Sequence, residues 1–343
     1  MKVGIVYDPI YLRHDTGQHV ENARRLEAIT SHLEEVGLSS ELIPIAPRPA
    51  TTEEISRVHE EGYISHIRES AERGGGWLDL DTVISAASYE AALYAAGGAI
   101  RAAEAVVRGE VTSAFALVRP PGHHATTRRA MGFCLFNNVA IAAKQVMAEF
   151  GLERIAIIDF DVHHGNGTQE AFYSSPQILY VSTHQSPFYP GTGAVGETGI
   201  GEGVGATVNI PLPAGCGDAE YERVFTQIVI PVVNRFQPQL ILVSAGYDPH
   251  WADELAMMQV SSGGFAQMVR AIKESADRLC DGRLVFSLEG GYNLTALAAS
   301  VRATFEVLLG RTVGEDPLGK SPRLANAPDI TSLIGSVREI HGL

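Results

Sequence analysis

The chain has 343 residues, 45% hydrophobic and 19% charged, a balance that supports a sizeable globular core. A net charge of −14 leaves no lysine and arginine excess to neutralise phosphates, which excludes broad nucleic-acid binding. Such a surface suits cationic substrates, basic peptides or polyamines among them. No apolar window spans a bilayer, the first residues become charged too soon for a signal peptide, and the three cysteines are far apart with no CxxC, so a cytoplasmic protein is expected.

In chain order, the first strand-like run is "KVGIVYD" (residues 2–8). A long apolar-periodic stretch follows at 88–109, with Ser88 as the expected N-cap and Gly109 beyond its end. "SAFALVRP" (113–120) reads as a strand and "NNVAIAAKQVMAEFG" (137–151) as a helix. Three more strands are expected at "RIAIIDFD" (154–161), "QILYVSTH" (177–184) and "ATVNIPL" (206–212). The helical pattern at 218–236 contains Pro231, which must kink or split it. "QLILVSAGYD" (239–248), a helix at 262–280 and "RLVFSLEGGY" (283–292) complete the pattern. Several strands are apolar on both faces, as in a sheet covered on both sides. The alternation predicts one α/β domain over 1–343, an open, mostly parallel sheet flanked by helices, with irregular surface chain from 311 to 343. The Gly-rich stretch 191–205 leads into a strand rather than opening a helix, so it is a loop near a site and not a dinucleotide cradle.

Ligands of open α/β sheets bind beyond the carboxyl ends of the strands. Four such ends carry ionisable or phenolic groups beside glycine or proline: "RPPGHH", "DFDVHHGNG", "SAGYDPH" and "LEGGYN". Asp161 and His163 are two apart, so in extended backbone their side chains leave the same side, and Asp248 ends another strand that could meet them. Three protein ligands with an open position describe a catalytic metal site, and an oxygen-rich Asp-His-Asp set suits zinc or ferrous iron. A single Asp would more readily cap a turn or pair with an Arg; the cluster argues for a metal. His123 and His124 sit together at a strand end, an arrangement for acid–base work. Tyr292 follows two glycines, which would let its hydroxyl reach a cleft and stabilise an oxyanion. HExxH, GxxxxGK[ST] and GxSxG are absent, the last because Leu242 stands where its first glycine belongs. The residues alone reach metal-assisted hydrolysis of an unnamed substrate.

Together, "RPPGHHA", "MGFCLFNN", "DFDVHHGNGTQ", "YVSTH", "SAGYD" and "LEGGY" resemble the arginase-like deacetylase superfamily, which includes histone deacetylases and acetylpolyamine amidohydrolases. The likeness covers about residues 10 to 310 in the family's order, and Asn166 places it nearer the class II and polyamine branches than class I, which has Asp there. It implies Zn²⁺ on Asp161, His163 and Asp248, His124 as general base and later acid, and His123 held by Asp159. It further implies that Asn166 orients His124 and that Tyr292 donates to the carbonyl oxygen. The acyl channel would be walled by Gly132, Phe133, Tyr189 and Leu255. K⁺ or Na⁺ would sit near Asp159, Asp161, His163, Ser182 and Thr183, with a second site near Phe172. Ureohydrolases of this fold bind a second metal through aspartates at positions held here by Gly165 and Gly246. The resemblance thus implies a mononuclear deacetylase of acyl-lysine in peptides or proteins, as a monomer or homo-oligomer, with an acetylated polyamine as the alternative substrate and a non-catalytic acyl-lysine binder as a remote one. Leu255 matches the protein-deacetylase pattern, because polyamine-selective relatives carry a glutamate there; Glu254 is adjacent.

Overall fold

The β-branched runs become strands at the heart of one sheet. A computed structural model describes residues 2–322 and 327–343. Its strands are β1 (Val3–Val6), β2 (Ile43–Pro44), β3 (Gly75–Trp77), β4 (Val83–Ser85), β5 (Ser113–Ala116), β6 (Ile155–Asp159), β7 (Ile178–Gln185), β8 (Thr207–Leu212), β9 (Leu240–Ala245) and β10 (Leu284–Leu288). Eight of them form a parallel sheet in the order β2-β1-β5-β10-β9-β6-β7-β8. Strands β5, β6, β7, β9 and β10 are buried along their whole length, which is why their sequences are apolar on both faces. The seven strands expected from sequence are all present. Strand β2 and the antiparallel hairpin β3–β4 escape a sequence reading because two or three residues carry no period.

Helices Ser88–Val107 and Asn138–Phe150 pack together as one group; Arg24–Glu35, Leu294–Leu309 and Ser262–Leu279 form another, and one core joins both to the sheet. Ser88 is the first helical residue rather than the cap: its hydroxyl instead bonds Ser85 N and His14 Nδ1, each at 2.7 Å. Pro231 has the expected effect. The helix splits into Asp218–Val224, a π-helical turn Phe225–Val229 and Ile230–Phe236, the wider turn absorbing the missing N–H.

The tail departs from expectation. Beyond Gly310 the chain is irregular at first, but Thr331–His341 is a helix that packs on β8. Ile330, Ile334 and Val337 recur at helical spacing and are buried, so this segment belongs to the core rather than to the surface. Residues 323–326 of the tail lie outside the described residues. Among the described residues no helix is long and apolar enough to cross a membrane.

Candidate active site

The sheet order makes neighbours of strand ends far apart in sequence. In the sequence β5-β10-β9-β6-β7, Asp159 at the end of β6 stands opposite Ser244 of β9 and Ser182 of β7. The loops that follow β5, β10, β9 and β6 carry His123 and His124, Tyr292, Asp248, and Asp161 with His163. All four sequence motifs therefore converge at one end of the sheet.

Ligand atoms of Asp161, His163 and Asp248 lie within 4.8 Å of one another. Asp161 Oδ2 accepts Gly290 N at 2.8 Å, Asp248 Oδ1 accepts Val162 N at 2.9 Å, and His163 Nδ1 stands 3.1 Å from Asp161 Oδ1. Asp248 Oδ2 is buried 3.2 Å from His163 Nδ1 but makes no well-directed hydrogen bond among the described residues. An unpartnered buried carboxylate oxygen is costly, and a cation at the triad would relieve it. Burial, then the charge of Asp161, pushes Asp248 up to about 7. Burial opposes protonation of His163, but the adjacent carboxylates of Asp161 and Asp248 outweigh it and hold the imidazole up at about 10. A proton on His163 thus stands in for positive charge that the site demands. The donor set and the orphaned oxygen fit a divalent metal ion.

The adjacent imidazoles differ sharply. His123 Nδ1 is 3.0 Å from Asp159 Oδ2, and the carboxylates of Asp161 and Asp159 hold it up at about 10 against burial. His124 Nδ1 is 2.8 Å from Asn166 Oδ1, an acceptor that fixes the proton on Nδ1 and leaves the Nε2 lone pair free. Burial, then the neighbouring charge of His123 and His163, keeps His124 well below its ordinary value. The surroundings favour the charged form of His123 and the neutral form of His124, whose ring centroids are 4.0 Å apart, a separation of roles typical of acid–base sites.

These groups face a cavity of about 190 Å³ lined by His123, His124, His163 and Tyr292 together with Gly132, Phe133, Phe188, Tyr189 and Leu255. Phe188 stacks on His163 at 5.4 Å, Tyr189 stands edge-on to His124 at 5.2 Å, and Phe133 meets Tyr292 at 5.7 Å. Burial raises the Tyr292 phenol well above its ordinary value, so it is a donor at neutral pH. Every expected channel residue lines this cavity, whereas Glu254 is exposed and outside it.

The remaining expected positions are placed as follows. Ser182 Oγ bonds His184 Nδ1 at 2.9 Å, Thr183 Oγ1 is buried without a partner among the described residues, and the Phe172 ring lies 5.3 Å from the Lys144 ammonium. A side chain at Gly246 would overlap the Asp161 carboxylate, and one at Gly165 would overlap that of Asp159. The two positions that would supply a second metal are thus closed to any side chain while the first carboxylates hold their places. At Gly122 a Cβ would press on Asn138 N and Phe136 O, at the start of the helix Asn138–Phe150, so the glycine lets the histidine loop pack against that helix.

Several site residues are not legible from the motifs. Phe188 directly precedes Tyr189 in the chain, and that aromatic pair was the available signal. Asp253 receives the N–H groups of Tyr292 and Asn293 at 2.6 and 3.0 Å and so holds the tyrosine loop. Glu289 Oε2 accepts Gly122 N at 2.7 Å and His123 N at 3.2 Å, tying the paired histidines to β10. Asp81, from the β3–β4 hairpin, accepts Gly132 N at 3.2 Å and lines the cavity. Arg25 donates to the carbonyls of Glu289 and Gly291 at 2.5 and 2.7 Å and lies 5.0 Å over the Tyr292 ring.

Known proteins share this arrangement. Residues 19–308 match the histone deacetylase domain model. A probable deacetylase of Archaeoglobus fulgidus is 46% identical over 297 residues, covering 86% of this chain and 82% of its own. A histone deacetylase-like amidohydrolase of Pseudomonas aeruginosa is 40% identical over 303 residues, covering 88% and 80%. The crystal structure of the HDA15 HD domain superposes with a TM-score of 0.88 at 36% identity, covering 99% of this chain and 95% of that one. The parallel sheet with these strand-end groups is the histone deacetylase fold, and the chain belongs to the histone deacetylase family of deacetylases and amidohydrolases.

Proposed function

We propose that this hydrolase removes the acetyl group from the ε-amine of lysine in peptides or proteins, using a single divalent metal ion. The observation that carries the reading is the convergence on one narrow aromatic cavity of a metal-competent triad, two adjacent imidazoles held by Asp159 and by Asn166, and a phenol. Asp161, His163 and Asp248 would hold the ion, Zn²⁺ by donor set with Fe²⁺ as the alternative. When bound, the ion supplies Lewis-acid polarisation of the amide carbonyl and of a water.

The chain's own groups do the rest. Aromatic walls Phe133, Phe188 and Tyr189 hold the methylene stem of the lysine and exclude water. His124 Nε2 takes a proton from the attacking water, since its Nδ1 proton is committed to Asn166. Tyr292 donates to the amide oxygen as negative charge gathers there, a contribution of about a hundred- to a thousand-fold in rate. His123, kept cationic by Asp159 and Asp161, adds positive charge beside that oxygen. His124 then returns its proton to the departing amine, which leaves as the free lysine. A structural K⁺ or Na⁺ near Asp159, Asp161, His163, Ser182 and Thr183, with another near Phe172, would offset the carboxylate charge buried there. Three buried, unpaired cysteines support a reducing, cytoplasmic setting.

The test is hydrolysis of a fluorogenic acetyl-lysine peptide by wild type and Asp161→Ala, each stripped of metal and reloaded with Zn²⁺. Zinc-restored turnover in wild type alone is expected. Turnover of acetylputrescine but not of the peptide would transfer the substrate to the polyamine class.

A further inference from the structure

Among the described residues ten large hydrophobic side chains are notably exposed, and five of them lie on or beside chain segments that line the acyl cavity. Leu80 is 97% exposed, Trp77 65%, Met257 53%, Val20 43% and Tyr189 36%. Leu80 and Trp77 belong to the β3–β4 hairpin and its tip, whose Asp81 lines the cavity and whose Thr82 Oγ1 accepts Phe133 N at 3.2 Å. Val20 adjoins His19, whose ring packs 4.5 Å from Phe133 and 6.5 Å from Trp77. Met257 is two residues beyond Leu255, another lining residue. Exposed apolar side chains gathered on the segments that frame one opening mark a contact surface rather than the usual scatter of surface hydrophobes.

We propose that this collar binds bulky apolar side chains on either side of the acylated lysine, so that the preferred substrate is an acyl-lysine in an apolar polypeptide context. The inference rests on the deacetylase reading and sharpens it. A cavity of about 190 Å³ holds one side chain, so a lysine that fills it leaves its backbone at the mouth and its neighbours on the collar. A polyamine would instead bring an ammonium group onto apolar surface. The hairpin carboxylates are already engaged: Asp79 pairs with Arg129 at 2.6 Å, and Asp81 Oδ1 accepts Thr82 Oγ1 at 2.8 Å as well as Gly132 N. Glu254 is exposed beside the collar but does not line the cavity. On these segments the hairpin carboxylates are thus committed to protein partners, and the exposed carboxylate beside the collar is that of Glu254.

The experiment compares kcat/KM of the zinc-loaded enzyme on an acetyl-lysine peptide flanked by Leu and Phe, the same peptide flanked by Ser, and acetylputrescine. Wild type should prefer the apolar peptide about tenfold or more, chiefly through KM. Leu80→Ser and Trp77→Ser should each bring that ratio towards one, with metal content and thermal midpoint retained. Ile340→Ser, an exposed site on the C-terminal helix, should keep the ratio. Equal wild-type values for the two peptides, or a ratio that survives Leu80→Ser and Trp77→Ser, would overturn the collar while leaving the deacetylase reading intact. So would a dimer, seen by sedimentation at assay concentration, that Leu80→Ser dissolves, because the patch would then be its interface. Faster turnover of acetylputrescine than of either peptide overturns the polypeptide substrate. Turnover of none of the three overturns the deacetylase reading and the collar with it.

Discussion

Glu21→Gln tests how a buried charge cluster supports the tyrosine. Glu21, Arg25 and Arg119 are all fully buried. The carboxylate accepts Arg119 Nε at 2.5 Å, Arg119 Nη2 at 2.8 Å and Arg25 Nη1 at 3.1 Å. Burial alone would raise its pKa, but the charge and hydrogen bonds of Arg119, then the charge of Arg25, hold it well below the usual carboxylate range. Glutamine keeps the shape and one acceptor oxygen yet leaves two guanidinium groups in the interior without a counter-charge. Breaking a buried pair in this way costs about 3–5 kcal/mol. With an m-value near 3 kcal/mol per M, the urea midpoint should fall by about 1 M or more. Because Arg25 also fixes the carbonyls of Glu289 and Gly291 ahead of Tyr292, kcat should fall as well. The sign with pH is set by the depressed pKa: the carboxylate's share is fully present above about pH 4.3 and is lost as pH falls towards the folded value. The gap between wild type and variant should therefore be constant from pH 8 to 5. A Glu21→Gln protein within about 1 kcal/mol of wild type across that range would refute the reasoning.

Tyr292→Phe should lower kcat by about a hundred- to a thousand-fold with metal content unchanged by elemental analysis. Gly246→Ala pushes a methyl group into the Asp161 carboxylate, so bound metal should drop well below one ion per chain under conditions that load the wild type. Asn166→Asp places a negative charge on His124 Nδ1, favouring the imidazolium, and the acid limb of the kcat/KM profile should move up by about one pH unit or more. His59 is buried neutral, its Nδ1 on Thr126 O and its Nε2 accepting Asn137 N, and burial lowers it to about 4. Since the unfolded chain takes up this proton near pH 6.5, stability should fall as pH drops from 6.5 to 4. From pH 7 to 5 the loss is about 2 kcal/mol, and urea midpoints should show that share absent from His59→Gln.

The seven long strands, the helices at 88–109, 137–151, 218–236 and 262–280 and the placement of reactive groups at strand ends were legible because their signals are local. An apolar run such as Ile155–Ile158 announces a buried strand by itself, and the two-residue spacing of Asp161 and His163 already puts both ligands in one turn. The C-terminal helix was missed because only the short stripe Ile330, Ile334 and Val337 marks it, and its partner β8 lies more than a hundred residues earlier. Sequence determined which groups could do the chemistry. Tertiary structure decided which of them act as a unit. The order β5-β10-β9-β6 set Asp248 against Asp161 and Glu289 under His123, and the hairpin β3–β4 brought Asp81 to the cavity. Those contacts arise from burying whole strand faces and helix stripes against one another. That long-range packing has no local period for the sequence to display.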